Sequence, residues 1–340
     1  MTAYFARVAS LLDALCLTAI VPATDRPDTL AACRGAIERA HDGPEEVIVI
    51  EVPERQGPAA ARNAGSLSAS GDILVFVDAD VAVHPDVFRR IRDAFAADPE
   101  LTAVFGSYDD TPAVEGVVAN FRNLLHHHVH QGAAGPSYSF WAGLGAIRRD
   151  AFHESGGFDA TKYRTPMMED IELGMRLVDA GAKIVLDPEL RATHMKEWSL
   201  RGMVRTDMKG RGIPWVTLLA RRAQAPTDLN LAWRHRISAL ATAGSVAAVL
   251  GRRPKTAIAL TALQLAINAP LYSLLLRRRG PAEALAGVGL HAVHQLTAVA
   301  SVPVGLAIYV RDRRTPVTPG VGAQVGSAAP AGSDRPLRTA

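Results

Sequence analysis

The most constraining feature of this sequence is residues 71–86, where an apolar run ends on two acids. Residues 73–77, Ile-Leu-Val-Phe-Val, are β-branched, aromatic or leucine and predict a strand that is buried on both faces. Asp78 and Asp80 follow directly. Ligands of open parallel sheets bind beyond the carboxyl ends of the strands, and residues two apart on an extended chain point the same way. The two carboxylates can therefore share a divalent cation, although a loop with two solvated acids has the same sequence.

Strand and helix patterns alternate through the first part of the chain. Residues 17–21, 46–52 and 102–106 are further strand-like runs, whereas residues 28–40 and 85–97 have the apolar spacing of amphipathic helices. This alternation predicts an α/β fold, with a mostly parallel sheet that is flanked by helices.

The composition favours a folded, membrane-attached protein over one that binds nucleic acid. The chain has 340 residues, of which 48% are apolar and 21% charged, and its net charge is +3. Basic residues concentrate late in the chain and flank apolar runs, at 252–255, 277–279 and 311–314. An anionic lipid surface explains this pattern better than nucleic acid does. Cys16 and Cys33 fit neither a metal-ligand spacing nor a disulfide framework, which indicates a reducing compartment.

Three apolar runs, residues 237–251, 256–276 and 284–310, dominate the last third of the chain. Crossing the hydrocarbon takes about 20 apolar residues, so the second and third runs are long enough and the first is marginal. We expect two or three membrane segments in a cell-membrane protein whose catalytic domain is cytoplasmic. An alanine-rich soluble helical bundle is the alternative. Residues 1–15 show no secretory signal pattern.

Four histidines lie close together at His126, His127, His128 and His130. No matching set of cysteines or carboxylates accompanies them, and consecutive residues on a helix point in different directions. The pattern therefore favours a polar helix face, or a wall near a substrate, over a metal site.

Several motifs occur in a fixed order over about residues 17–219: Val21-Pro22, Arg62-Asn63-Ala64-Gly65, Asp78-Ala79-Asp80, the segment 143–158, Glu169-Asp170 and His194 to Trp198. Together they resemble the family 2 glycosyltransferases, in particular membrane-associated bacterial-type members. The resemblance implies a GT-A type domain for nucleotide-diphosphate sugars, a divalent metal (Mn or Mg), and inversion at the anomeric carbon of a hexosyl group.

The resemblance also implies a function for individual residues. Asp170 would accept the proton of the acceptor hydroxyl, with Glu169 beside it. Asp80 and His194 would hold the metal, and Trp141, Gly143 and Trp198 would face the acceptor, a lipid or a saccharide. Donor-binding positions would be Pro22, Asp25, Glu51, Arg62, Asn63 and Asp78.

Simple structural interpretations stand beside several of these assignments. Glu169 and Asp170 also suit the first turn of a helix, because acids there interact favourably with its dipole. His194 could be a structural histidine, and Arg62 and Asn63 could pack their own helix. Family members commonly carry an Asp-rich turn after the second strand, which this chain lacks, and Glu51 is the candidate replacement. The nucleotide and the sugar therefore stay open.

The chemistry of glycosyl transfer agrees with these assignments independently of the resemblance. A cation between carboxylates and phosphate oxygens neutralises the charge that develops on a departing diphosphate. An acceptor hydroxyl is a weak nucleophile near neutral pH, and a positioned carboxylate activates it as a general base.

The predicted organisation has three parts: a GT-A domain in residues 1–222, membrane-associated helices in 223–311, and a disordered tail in 312–340. The end of the first part, 199–222, alternates apolar and basic residues and predicts an amphipathic stretch at the bilayer surface. A nucleotidyltransferase also places acids after a parallel strand, but residues 23–27 lack the glycine-rich basic loop typical of that class. A membrane scaffold that binds nucleotide sugars without catalysis is the non-enzyme alternative.

Overall fold

The computed structural model describes residues 15–222, 229 and 232–314. A mixed sheet in the order β2-β1-β3-β7-β5-β8-β4 forms its centre, and β6 pairs with the first half of β8. The strands are β1 (Leu17–Pro22), β2 (Glu46–Ile50), β3 (Ile73–Val77), β4 (Val81–Val83), β5 (Leu101–Tyr108), β6 (Gly135–Pro136), β7 (Leu144–Arg148) and β8 (Lys183–His194).

Helices cover the sheet and continue beyond it. Those that accompany the sheet are α1 (Leu30–Glu38), α2 (Pro58–Ser68), α3 (Val87–Ala97), α4 (Val117–Gln131), α5 (Arg149–Glu154) and α6 (Glu169–Asp179). A further helical stretch consists of α7 (Leu200–Arg205), a π-helical segment (Thr206–Gly212) and α8 (Ile213–Ala220). The last three are α9 (Trp233–Leu250), α10 (Pro254–Ile267) and α11 (Ala269–Arg314).

The sheet is less parallel than the strand–helix rhythm predicts. β1 pairs in parallel with β2 and β3, and β5 pairs in parallel with β8. β7 lies antiparallel between β3 and β5, because the chain returns to the middle of the sheet from the opposite end after α4 and β6. The short β4 pairs antiparallel with the end of β8, which sets Val81 opposite His194. This pairing brings the turn after β3 to the end of β8.

The core lies on both faces of the central strand, as the sequence predicts. Every side chain of β3 is fully buried. Val75 and Val77 belong to one apolar cluster with α3, whereas Leu74 and Phe76 belong to a second cluster that contains several aromatic rings. Because β3 is fixed from both sides, the acids that follow it start from a rigid position.

The carboxyl-terminal apolar runs fold as helices, with different boundaries from those of the runs. The run 256–276 is divided at Asn268, between α10 and α11. α11 is interrupted at Gly280, whose φ is +80°, and extends to Arg314. Among the described residues, one helix, Ala269–Arg313, is long and apolar enough to cross a membrane. Residues 312–314 of the predicted tail are helical and belong to α11, so the disorder predicted there is wrong. The rest of the tail, from 315 onward, and the amino-terminal residues 1–14 lie outside the described residues.

Candidate active site

A buried arginine joins three of the predicted site elements. Arg62, on α2, is 3% exposed and donates to Asp78 after β3 and to Glu169 at the start of α6, where Nη1 and Oε1 are 3.1 Å apart. Burial lowers the pKa of Arg62, but the carboxylates of Asp78, Glu169 and Asp170 outweigh it and raise that pKa. The guanidinium is therefore a permanent cation that holds two acids from distant parts of the chain.

Asp170 lies next to this cluster and contacts the predicted acceptor segment. Its Oδ2 accepts from the backbone N–H of Ala142 at 3.2 Å, and the carbonyl of Gly143 accepts from the N–H of Asp78 at 3.1 Å. Burial, followed by the charge on Glu169, raises the pKa of Asp170 to about 7. A carboxylate with such a pKa can take a proton near neutral pH.

Glu169 has a different environment from Asp170. It is 4% exposed, and its second oxygen accepts from the backbone N–H of Met167 at 2.9 Å. Both carboxylate oxygens are therefore occupied by Arg62 and the start of its own helix. This ion pair favours a positioning function for Glu169. The oxygens of Asp170 accept from the backbone N–H groups of Ala142 and Ile171, but Asp170 is less buried than Glu169 and forms no ion pair with Arg62, so it stays the candidate for proton transfer.

The predicted metal-binding pair meets at the end of β8. His194 is 7% exposed, and its Nε2 lies 3.8 Å from Oδ2 of Asp80. Lys196 approaches the same oxygen at 3.6 Å, and the carbonyl of Asp80 accepts from Met195. Burial raises the pKa of Asp80, but the hydrogen bond of His194 and the charge of Lys196 outweigh it and lower that pKa. Asp80 is thus an ionised carboxylate at physiological pH.

An aromatic wall borders this pair and contains part of the histidine cluster. The ring of Tyr108 stacks on His194 with centroids 4.1 Å apart and lies 4.3 Å from His126. Trp141 meets Tyr108 edge to face at 4.9 Å, and His126 stacks on His130 at 3.8 Å. Among the described residues, no three metal-ligand side chains converge on one point. His126 and His130 thus lie in an aromatic wall beside Asp80 and His194, and contact of this wall with a substrate stays a prediction.

Other predicted donor residues lie in a separate loop region. Pro22 is buried at the end of β1, whereas Asp25 and Glu51 are exposed in the loops that follow β1 and β2. Backbone hydrogen bonds join the two loops, from Ala23 to Ile50 and from Arg55 to Thr24. The donor-binding function of this region stays a prediction.

Asn63 is used differently from its neighbour Arg62. Its amide both donates to the carbonyl of Phe158, at 2.8 Å, and accepts from the N–H of the same residue, at 2.9 Å. These two hydrogen bonds fix the turn at Gly156 and Gly157, both of which have positive φ. The geometry supports the packing interpretation of Asn63 over direct contact with a donor.

Helix α6 can present Asp170 only because Gly174 lets it approach the neighbouring backbone. A Cβ at Gly174 would lie 2.2 Å from the backbone N of Phe140. We expect Gly174→Ala to destabilise the fold by about 1–3 kcal/mol, because backbone atoms must move to relieve the overlap. Gly289→Ala is the matched control, since nothing lies within 4 Å of its added Cβ. Equal melting temperatures for the two variants would contradict this explanation.

Lys196, Tyr108 and Arg122 also lie at the site and were not predicted from the sequence. A signal for the first was present, because His194, Lys196 and Trp198 alternate along the chain and residues two apart in an extended segment share one side. Arg122 lies with its guanidinium carbon 4.9 Å from the centroid of the Trp198 ring. No local pattern marks that contact, which joins α4 to the segment after β8.

Comparison with known proteins finds relatives for part of the chain. Residues 17–156 match the sequence model of the family described as Glycosyl transferase family 2. A pre-mycofactocin glycosyltransferase of Mycobacterium tuberculosis is 28% identical over 167 residues, which are 47% of this chain and 34% of the relative. An inactive polypeptide N-acetylgalactosaminyltransferase-like protein 5 of Macaca fascicularis is 26% identical over 175 residues, covering 46% and 39%. The chain thus spans little more than a third of the curated relatives that it matches.

A solved structure resembles most of this chain. It is the mannosyltransferase PcManGT from Pyrobaculum calidifontis in complex with GDP-Man and Mn²⁺, with a TM-score of 0.50 and 19% identity over 90% of this chain and 94% of that one. This likeness confirms the GT-A fold class. Residues 17–156 therefore resemble the domain of the Glycosyl transferase family 2, within a chain of the GT-A fold class.

Proposed function

We propose that this protein transfers a hexosyl group, with inversion, from a nucleotide-diphosphate sugar to an acceptor hydroxyl or a lipid-linked acceptor at a membrane. The observation that carries the proposal is the arrangement around Arg62. Asp78, from the end of β3, and Glu169 and Asp170, from the start of α6, gather there, and Asp80 with His194 lies at the adjacent turn. The site thus has separate acids for the leaving group and for the attacking group, as this reaction needs.

Asp170 is the proposed general base. Its Oδ2 lies 3.2 Å from the backbone N of Ala142, between Trp141 and Gly143, which are the proposed acceptor positions. An acceptor hydroxyl in this segment would give its proton to Asp170 as its oxygen attacks the anomeric carbon. Arg62 and Glu169 hold the start of α6 and so set the position of the base.

Asp80 and His194 fit a divalent cation such as Mn²⁺ or Mg²⁺ as two protein ligands. An ionised carboxylate and an imidazole that lie 3.8 Å apart are a suitable donor pair for Mn²⁺. Such a cation also binds substrate phosphates, which would complete its coordination. When bound, it would neutralise the negative charge of the departing nucleoside diphosphate. Lys196 would then have to leave its position beside Asp80.

The carboxyl-terminal helices support attachment to a membrane. We place the catalytic domain on the cytoplasmic side. Large apolar side chains point outward, since Leu240, Leu250 and Leu285 are 67%, 79% and 75% exposed. Polar side chains such as Ser238 and Gln295 lie inside and bond to each other at 2.7 Å. Lipid is the environment in which such an inverted arrangement is stable. α7 adds a shallow apolar groove lined by Leu200, Arg201, Val204, Arg205, Met208 and Lys209.

Transfer is expected to depend on pH through Asp170. The base works only when it is deprotonated, so kcat/KM should rise with pH through about 7 and fall to about a tenth of its plateau at pH 6. A pH series from 5.5 to 8.5 at saturating Mn²⁺ checks this. A rate that stays constant down to pH 5.5 would exclude Asp170 as the titrating base.

A calorimetric screen of UDP-, GDP- and dTDP-sugars with Mn²⁺ tests donor recognition. The chain, purified in detergent, should bind one nucleotide class, and Asp80→Asn should weaken binding in the presence of Mn²⁺ much more than in its absence. Asp98→Asn is the control, because Asp98 pairs with Lys183 on the surface. Binding of no nucleotide sugar by the folded chain would refute the proposal.

A further inference from the structure

The long carboxyl-terminal helix α11 contacts the catalytic domain through a buried polar chain. Asp207, in the π-helical segment, is 4% exposed and lies between Arg122 of α4 and His294 of α11. Its two carboxylate oxygens are each 2.8 Å from one partner, Nη1 of Arg122 and Nδ1 of His294. One acid thus joins three elements of which only α4 belongs to the family domain.

The protonation states of Asp207, His294 and Arg122 follow from their pKa values and from the hydrogen bonds between them. Burial raises the pKa of Asp207, but the hydrogen bond of His294 and the charge of Arg122 outweigh it and lower that pKa. The ionised carboxylate has no proton to give, so Nδ1 of His294 must carry a hydrogen and donate it. Burial lowers the pKa of Arg122 to about 10, which leaves it charged at neutral pH.

From Arg122, a series of side-chain contacts leads to the candidate active site. Its guanidinium carbon lies 4.9 Å from the centroid of the Trp198 ring, and Nζ of Lys196 lies 5.3 Å from the same ring. Lys196 in turn is 3.6 Å from Asp80. The indole N–H of Trp198 is buried and has no hydrogen-bond partner. Cation–ring contacts and packing, and no hydrogen bond of its own, therefore hold the Trp198 side chain.

Helix α11 also packs tightly against the π-helical segment and α8, so a shift of α11 would move Asp207. A Cβ on Gly212 would lie 2.2 Å from Oγ of Ser301, and one on Gly305 would lie 2.6 Å from Cβ of Val216. Close packing on both elements fixes the height of His294 relative to Asp207. A separate ion pair, Arg221 with Asp312 at 3.3 Å, lies farther along the same interface and is exposed.

We propose that Asp207 and His294 are positioning residues for the acceptor side of the active site: α11 orients Trp198 through Asp207 and Arg122. The proposal rests on the proposed function, because Trp198 is an acceptor-facing residue only if the chain is a transferase. It assigns α11 a part in substrate handling in addition to membrane attachment. Neither Asp207 nor His294 contacts the reacting atoms.

The test replaces the imidazole with a ring that cannot donate. In His294→Phe, one oxygen of Asp207 loses its donor, so the carboxylate is free to rotate, and Arg122, which stays paired with it, should shift with it and loosen Trp198. Acrylamide quenching of Trp198 should then increase about two-fold. The Trp198 signal is isolated by subtracting the emission of matched Trp198→Phe chains. His294→Asn should restore the quenching of the unaltered protein, because its amide N–H lies near the position of Nδ1. Asp312→Asn, the matched control at the same interface, should leave the quenching unchanged.

Activity gives a second, separable measurement. With the donor and acceptor that support turnover, His294→Phe should raise the acceptor KM about ten-fold, change kcat less than two-fold and leave the donor Kd unchanged. Quenching in His294→Phe equal to that of the unaltered protein, or an equal increase in Asp312→Asn, would overturn the proposal. If His294→Phe does not fold, His294→Leu is measured instead. A chain that shows the quenching pattern without any turnover would contradict only the proposed function.

Discussion

Asp170→Asn is expected to lower kcat about 10³-fold while the Kd for the nucleotide sugar changes less than three-fold. A positioned general base contributes about 10²–10⁴ to the rate, and the asparagine amide has the shape of the acid but cannot take a proton. The oxygen of the amide can still accept from the N–H of Ala142, whereas the N–H of Ile171, in the first turn of α6, loses its acceptor. Single-turnover kinetics and donor calorimetry on the same preparation measure both quantities.

Asp170→Asn is also expected to change the stability of the protein. The direction of this change excludes unfolding as the cause of the lower kcat. The pKa of Asp170 is raised from 3.8 to about 7 in the folded protein. Its contribution to stability is therefore complete below about pH 3.8 and lost as the pH rises through about 7. At pH 8 the ionised, buried carboxylate destabilises the fold, so Asp170→Asn should be more stable, on the order of 2 kcal/mol. A metal-free melting curve that shows a less stable variant at pH 8 would contradict the raised pKa.

Arg62→Ala is expected to be the most destabilising single substitution in the site. It leaves Asp78 and Glu169 without their buried counter-charge, and removing one partner of a buried pair costs about 3–5 kcal/mol. The melting temperature should fall by roughly 10 °C. Activity should also be lost, because Glu169 and the start of α6 are no longer held.

An exposed arginine provides the matched control for that substitution. Arg26 pairs with Glu54 at 2.8 Å, and both side chains are more than half exposed. Arg26→Ala should cost less than about 1 kcal/mol, since exposed ion pairs contribute little. Thermal unfolding of both variants measures the difference. Equal melting temperatures for Arg62→Ala and Arg26→Ala would show that the Arg62 cluster does not stabilise the site.

The parts of the fold that the sequence predicts are those determined by local patterns. The apolar run of β3 and the two acids after it are contiguous, so strand, burial and position all follow from one stretch. The full length of β8 could not be predicted, because Pro188 and the polar residues around it break the strand pattern after Leu186. Its continuation to His194 depends on pairing with β4 and β5, which are distant in the chain.

The candidate site also contains residues that local sequence patterns indicate and residues whose contacts depend on distant parts of the chain. Residue types and their order indicated Asp78, Asp80, Asp170 and His194, and the structure brings them together. Arg62 could not be decided from sequence, because its partner Glu169 is 107 residues away and binding or packing leaves the same local pattern. Asn63 shows the opposite outcome, since its contact with Phe158 is structural. The donor-binding functions of Pro22, Asp25 and Glu51 stay predictions.

The identity of the group that leaves the donor tests the central proposal most directly. The full chain in detergent, with Mn²⁺, the nucleotide sugar that it binds and a membrane lipid extract as acceptor source, should release a nucleoside diphosphate that chromatography resolves from pyrophosphate. Release should require Asp170 and stop when Mn²⁺ is chelated. Release of pyrophosphate would instead indicate a nucleotidyltransferase. Binding of the nucleotide sugar without release of either product would contradict transfer and favour a catalytically inactive binding protein.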